Sequence, residues 1–168
     1  MIRIIYESDV FADKYSNYAL AHQVNCRGVM GSGIAKQVKE RFPEVFAEYH
    51  KLCSTSNQAS LLGDFQIVKT PHRIAPVVNL FGQMDFGYNG HTYTDYQEFA
   101  NSLAGACKEL KTVHNTNKVV MPYRIGCCRG GGNWESVLHI LSLISEKGEM
   151  DFLLVSNRIN QELRGETW

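Results

Sequence analysis

The sequence predicts an α/β fold of three layers, with helices on both faces of a mixed, mostly parallel sheet. Three observations predict it. Short apolar runs alternate with stretches of helical period along the chain, the order that produces right-handed crossovers between parallel strands. One run, residues 18–24, is almost wholly apolar, as a strand covered on both faces must be. Two glycine-rich stretches each link a strand to a helix, which is where open α/β sheets bind ligands.

Taken in order, Ile2-Arg3-Ile4-Ile5-Tyr6 is the first strand and residues 18–24 the second. Ile34, Val38, Phe42, Val45, Phe46 and Tyr49 recur at spacings of three and four. Residues 34–52 therefore form an amphipathic helix, which Pro43 must kink or split. Strands at 65–69 and 75–81 are joined by the turn residues Thr70-Pro71-His72 and pair antiparallel. A polar loop, 82–94, leads to Thr94 or Asp95 as the cap of a helix whose apolar face is Tyr96, Phe99, Leu103, Ala106 and Leu110. Residues 118–121 form a strand ended by Pro122. Trp134, Val137, Leu138, Leu141 and Ile144 mark a third helical stripe, and 152–155 a last strand. No internal repeat or linker interrupts this order, so residues 1–168 are read as one domain.

Charge gives no support to one class of function. Seventeen basic residues balance seventeen acidic ones, for a net charge of +0, whereas a generic binder of nucleic-acid backbone carries a basic excess. A single phosphorylated small molecule held by backbone amides remains compatible. No apolar run long enough to span a membrane occurs, and the N-terminus shows no secretory apolar region. The five cysteines, Cys26, Cys53, Cys107, Cys127 and Cys128, are odd in number and form no C-x-x-C. Reduced thiols and a cytoplasmic setting are expected. His22, Cys26, Cys127 and Cys128 match no standard zinc spacing, so neither a metal nor a cofactor is expected.

The first glycine loop reads Asn25-Cys26-Arg27-Gly28-Val29-Met30-Gly31-Ser32-Gly33; the second reads Arg124-Ile125-Gly126-Cys127-Cys128-Arg129-Gly130-Gly131-Gly132-Asn133. Each leads into a helix start, where backbone N–H groups lack intrahelical partners and the dipole is positive. Glycines let a phosphate oxygen reach such amides, and two loops on one sheet edge can grip a diphosphate from both sides. Neither loop is a P-loop, and the first is not G-x-G-x-x-G, so a nucleoside-triphosphatase or an ordinary dinucleotide dehydrogenase is poorly supported.

Ala19-Leu20-Ala21-His22-Gln23-Val24-Asn25-Cys26 followed by Gly31-Ser32-Gly33-Ile34-Ala35 resembles the first ligand loop of macrodomains, which bind ADP-ribose. Met121-Pro122-Tyr123-Arg124-Ile125-Gly126-Cys127, then Trp134-Glu135, is similar to the second phosphate loop of the branch that holds the terminal ADP-ribose protein glycohydrolase and the ADP-ribose-1''-phosphate phosphatase. Glu7-Ser8-Asp9-Val10 stands where the family usually shows Gly-Asp followed by an aliphatic residue. The resemblance covers residues 1–155. It implies that Asp9 accepts from the adenine amino group, with the Val10 amide against the ring. Asn25 then faces the distal ribose. Gly31, Ser32, Gly33 and Ile34 supply amides to one phosphate, and Gly126, Cys127, Cys128, Arg129 and Gly130 wrap the other and the distal ribose. His22 occupies the position of a histidine in the phosphatase branch's proposed active site, and its ordinary pKa suits acid–base work. A buried histidine hydrogen-bonded in the core is the competing reading. Met30, Phe81, Tyr88, Tyr93 and Tyr123 are candidates to stack on adenine or ribose. Cys127 and Cys128 read as small residues under the ligand or, alternatively, as thiols activated by the nearby helix start.

Departures from that pattern bear on activity. After Asn79-Leu80 the chain reads Phe81-Gly82-Gln83-Met84-Asp85, without the lysine of the terminal glycohydrolase, so a covalent lysyl–sugar mechanism is not expected. The second loop, Arg129-Gly130-Gly131-Gly132-Asn133, also lacks the acid that both relatives carry, leaving Asp85, Asp95 or Glu135 to replace it. The glycine run is expected to let the backbone close over the distal ribose and a phosphate. A monomer is expected. It binds ADP-ribose or a derivative and hydrolyses a bond at the distal ribose, with His22 and Asn25 as catalytic candidates and ADP-ribosylated protein or nucleic acid as partners. A reader or nucleotide sink without turnover is the alternative, and another nucleotide hydrolase or a structural nucleotide-binding protein a third.

Overall fold

The computed structural model describes residues 1–158, so the last part of the expected 1–168 domain, residues 159–168, lies outside the described residues. Six strands, β1 (Ile2–Ile5), β2 (Ala19–Asn25), β3 (Phe65–Val68), β4 (Val77–Gln83), β5 (Lys118–Pro122) and β6 (Asp151–Val155), form one sheet in the order β1-β6-β5-β2-β4-β3. All neighbours run parallel except β3, which is antiparallel to β4.

The sheet alternates its side chains between two cores. Leu20, Val24, Val77, Phe81, Val120 and Leu153 face one helical layer. Ala19, Ala21, Val78, Leu80, Val119, Met121, Phe152 and Leu154 face the other, the period of two that a strand requires. The first layer is α1 (Gly33–Arg41) and α2 (Pro43–Thr55), followed by the single turn α3 (Gln58–Leu61). The second is α4 (Tyr96–Thr112) and α5 (Trp134–Gly148). Pro43 splits the expected long helix. It takes the first position of α2, and Phe42 before it is driven out of helical geometry to φ −132° and ψ 71°. Asp95 caps α4 by accepting from the Glu98 amide, and Asn133 caps α5 by accepting from the Ser136 amide. Thr94, the other cap candidate, has a different task at the second loop. No helix among the described residues is long and apolar enough to cross a membrane.

These choices place the site. The carboxyl ends of β2, β4, β5 and β6 share one edge of the sheet, and α1 and α5 begin there. Between Val24 and Asn25 the register of β2 against β4 slips by one residue, a bulge that re-aims Asn25 where the strand becomes the first loop.

Candidate functional site

A cleft of about 440 Å³ opens on that edge. His22, Asp9, Val10, Asn25, Gly31, Ser32, Gly33, Ile34, Gly126, Cys128, Arg129 and Gly130 all line it. The two loops meet there, since the Arg129 Cγ lies 3.9 Å from where a Cβ on Gly33 would stand.

The first loop is held from beneath by α2. The Tyr49 hydroxyl donates into the carbonyl oxygen and Oδ1 of Asn25, at 2.8 and 2.9 Å. His50 Nδ1–H donates to the Gly28 carbonyl at 3.2 Å. At Gly28, φ is +77° and a Cβ would lie 3.2 Å from Cys53 Cβ, so only glycine fits without strain. From the side, Arg27 forks onto Asp85 with two bonds of 2.8 Å and reaches Gln58. Held this way, the loop presents amides. Ser32 makes no side-chain cap bond to α1, whose first turn carries no acid. Among the described residues the N–H groups of Gly33, Ile34 and Ala35 donate to no protein acceptor. That is the arrangement an anion binds.

Backbone contacts hold the second loop. The Gly130 carbonyl accepts from the amides of Tyr93 and Thr94 at 2.8 and 2.9 Å. The Gly126 carbonyl accepts from the Gly132 amide at 2.9 Å and from the Thr94 hydroxyl at 2.7 Å. Thr94 in turn accepts from Gln23 Nε2 at 2.9 Å. A Cβ at 130 would stand 2.5 Å from the Gly126 carbonyl oxygen, and one at 131 would stand 2.7 Å from the His91 carbonyl oxygen. The glycine run therefore has a reason that differs from the expected one: the chain packs its own 91–94 segment and Gly126 carbonyl against it. The Arg129 guanidinium rests 4.6 Å above the centre of the Tyr88 ring.

His22 sits at the floor, fully buried. Its Nε2–H donates to Asn79 Oδ1 at 2.7 Å, and Asn79 Nδ2 donates on to Gln66 Oε1 at 3.0 Å. The row fixes the tautomer, so Nδ1 is the bare acceptor, and it has no partner among the described residues. Burial lowers the pKa of His22 to about 4, so it is neutral at physiological pH. Asp9 Oδ1 accepts from the Phe11 amide at 2.9 Å, and Oδ2 lies 3.5 Å from Arg41. Glu7, two residues before Asp9, has the left-handed φ of +54°. Asn25 spends much of its amide on its own loop: Oδ1 accepts from the Arg27 and Val29 amides, and Nδ2 donates to the Val29 carbonyl.

Several expectations are corrected. Cys127 does not line the cleft; its side chain joins the core beneath α4 and α5, and burial pushes its thiol up to about 12, far from a thiolate. Cys128 beside it does line the cleft. Cys26 belongs to the opposite core from Cys127, so no metal set forms from them; among the described residues no cluster of His, Cys, Asp and Glu has metal-binding geometry. The stand-in acids are elsewhere. Asp85 is bound by Arg27, which holds its carboxyl below the usual range, Asp95 caps α4, and Glu135 is not on the cleft. Among the described lining residues Asp9 is the one carboxylate. Met30 and Phe81 are core residues, whereas Tyr88 and Tyr123 line the cleft. Tyr93 instead bonds Asn89. Unforeseen lining residues are Phe86, half exposed, and Ser156, Asn157 and Arg158. The last three follow the carboxyl end of β6, so the strand-end rule applied there would have found them. Nothing in the sequence singles out Phe86.

Comparison with known proteins agrees with this geometry. The family model described as Macro domain matches residues 21–141. The DNA ADP-ribosyl glycohydrolase of Mycobacterium tuberculosis is 32% identical over 123 residues, covering 71% of this chain and 32% of that protein. This chain thus spans about a third of the length of that relative. An ADP-ribose 1''-phosphate phosphatase of Meyerozyma guilliermondii is 37% identical over 67 residues, 38% of each chain. Among solved structures, the macrodomain of Mycobacterium tuberculosis DarG superposes with a TM-score of 0.69 at 27% identity, covering 92% of this chain and 97% of that one.

Proposed function

Because this chain belongs to the macrodomain family, we propose that it binds ADP-ribose or a derivative in this cleft and hydrolyses a bond at the distal ribose. One observation carries the reading: two loops at neighbouring strand ends meet on one cleft, and beside it the helix-start amides of Gly33, Ile34 and Ala35 donate to no acceptor among the described residues. Adenine would lie against Asp9 and Val10, the diphosphate between Gly33–Ile34 and Gly126–Gly130, and the distal ribose by Asn25 over His22. A carboxylate accepts well from an exocyclic amino group, and unpartnered helix-start amides suit phosphate oxygens.

An ordered water would attack at the distal ribose. Its oxygen would accept from Asn25 Nδ2–H, and one of its hydrogens would point to His22 Nδ1. A buried imidazole held near pKa 4 is a weak base, so it orients the water more than it ionises it, and positioning supplies most of the rate. The relatives' names point to two substrate classes, the 1''-phosphomonoester and ADP-ribosyl groups on nucleic acid, and ADP-ribosylated protein is a third. We place the protein in the cytoplasm as a monomer, a setting suited to five cysteines that form no disulfide.

A reader or sink without turnover is the second reading. It is favoured by a cleft whose one carboxylate among the described residues, Asp9, is assigned to adenine. Calorimetric titration with ADP-ribose, with ATP and NAD as comparators, tests binding. Incubation with ADP-ribose-1''-phosphate and with ADP-ribosylated DNA and protein tests turnover. Product from one of these supports the hydrolase, tight binding with no product supports the reader, and no preference for ADP-ribose rejects both.

A further inference from the structure

We propose that Tyr49, buried in α2, is a positioning residue that steadies the Asn25 amide in the orientation that turns its NH2 toward the ligand. The inference rests on the reading that the cleft holds a distal ribose beside Asn25. Tyr49 is fully buried, its ring stacked on Phe81 of β4 at a centroid distance of 6.0 Å and tilted against Phe46 at 6.4 Å. A phenol packed against two aromatic rings in a full core has little freedom to move its hydroxyl. Burial also raises its pKa, so the group stays protonated and remains a donor.

The surroundings of Asn25 Oδ1 make the orientation one-sided. Three donors converge on it: the Tyr49 hydroxyl at 2.9 Å, the Arg27 amide at 2.9 Å and the Val29 amide at 3.3 Å. Reversing the amide would set its NH2 against two N–H groups that cannot accept, and would leave them unsatisfied in a part-buried loop. Nδ2 is thereby placed on the other side, where one hydrogen goes to the Val29 carbonyl at 2.8 Å. Its second hydrogen is what remains for the cleft. Asn25 therefore donates to its ligand: it can hold a ribose oxygen or the lone pair of a water, but it cannot take a hydrogen from either. Tyr49 shares its one hydroxyl hydrogen between that Oδ1 and the Asn25 carbonyl, 2.8 Å away, and so braces side chain and main chain together next to the bulge that starts the loop.

The test separates the distal ribose from the rest of the nucleotide by comparing ADP-ribose with ADP. Tyr49→Phe keeps the ring packing and removes one hydroxyl, a change worth about three- to tenfold in an equilibrium. ADP-ribose affinity is expected to fall by that factor while ADP affinity stays within about twofold. For any derivative that is turned over, kcat/KM should fall by at least the same factor. Asn25→Asp retains an oxygen for the three donors and replaces the outward NH2 with an acceptor. It should erase the preference for ADP-ribose over ADP altogether, and it serves if Tyr49→Phe does not fold. Equal weakening of both nucleotides by Tyr49→Phe, or an unchanged preference in Asn25→Asp, would overturn the proposal. A wild-type protein that binds neither nucleotide would instead reject the functional reading. The orientation is then read without ligand from the side-chain NH2 signals of Asn25 in 15N-labelled protein. A changed chemical shift and faster hydrogen exchange of these protons in Tyr49→Phe support the positioning role; signals unmoved by the substitution refute it.

Discussion

Gly31 and Gly130 lie on the two loops of one cleft, yet a methyl group added to each would meet different surroundings. At 31 it would touch only a Val29 methyl, at an ordinary 3.7 Å. At 130 it would be driven into the Thr94 side chain and to 2.5 Å from the Gly126 carbonyl oxygen. The first loop is suspended on side chains of α2, and its glycine at 31 answers to no constraint inside the protein. The second is laced to its own backbone, and its glycines are structural before they are functional. A glycine-rich ligand loop is thus not one device: one loop keeps space for a ligand, the other has used its space on itself.

The largest effect separating the two loops should come from Gly130→Ala. Forcing a Cβ into a packed backbone costs about 3 kcal/mol in such sites. Chemical denaturation is expected to show that loss with or without ligand, and a variant as stable as the parent would mean the second loop is slack. Successive residues of β2 extend the contrast, because Gln23 braces Thr94 under the second loop while His22 lies in the row with Asn79. At pH above 6.5 the imidazole of His22 is neutral whether the chain is folded or not. As pH falls from 6.5 toward 4 the unfolded chain takes up a proton that the folded site refuses, so stability drops across that window and this contribution levels off below it. The loss is about 3 kcal/mol, and His22→Gln should remove that part of the acid sensitivity whatever it does at pH 7. If parent and variant lose stability in parallel between pH 6.5 and 4, the histidine is not held neutral.

How much of this was legible in the sequence follows from the distance over which each feature is decided. Pro43 dividing the helix, Asp95 as a cap, the antiparallel β3–β4 pair and the two strand-to-helix loops are local, written in periods of two and 3.6 and in turn residues. So the sheet edge and the two loops that border the cleft could be read in advance. What eluded the sequence is decided by partners far along the chain. The reason for Gly130 is Thr94, and the hydroxyl that braces Asn25 comes from Tyr49, a residue that periodicity assigns simply to an apolar stripe. Cys127 and Cys128 are adjacent, yet only one faces the cleft. Their directions are set by a turn with positive φ at Arg124 and Gly126, where neither strand nor helix periodicity applies.

Gly31→Ala is the finer instrument, because it isolates what the first loop does for a ligand. Its φ does not lie in the left-handed region and its added methyl has room, so the free protein should keep its stability within about 0.5 kcal/mol, or gain slightly from a stiffer unfolded chain. With a phosphate seated on the amides of Gly33 and Ile34, the same methyl would stand on the ligand side of the loop. It would hold a phosphate oxygen off by a fraction of an ångström, enough to lengthen two hydrogen bonds to a charged group and weaken ADP-ribose by about tenfold. Stability unchanged and affinity lost is the signature of a glycine kept for a ligand. Affinity unchanged would move the diphosphate off this loop, and the contrast with Gly130 would then be between two kinds of packing.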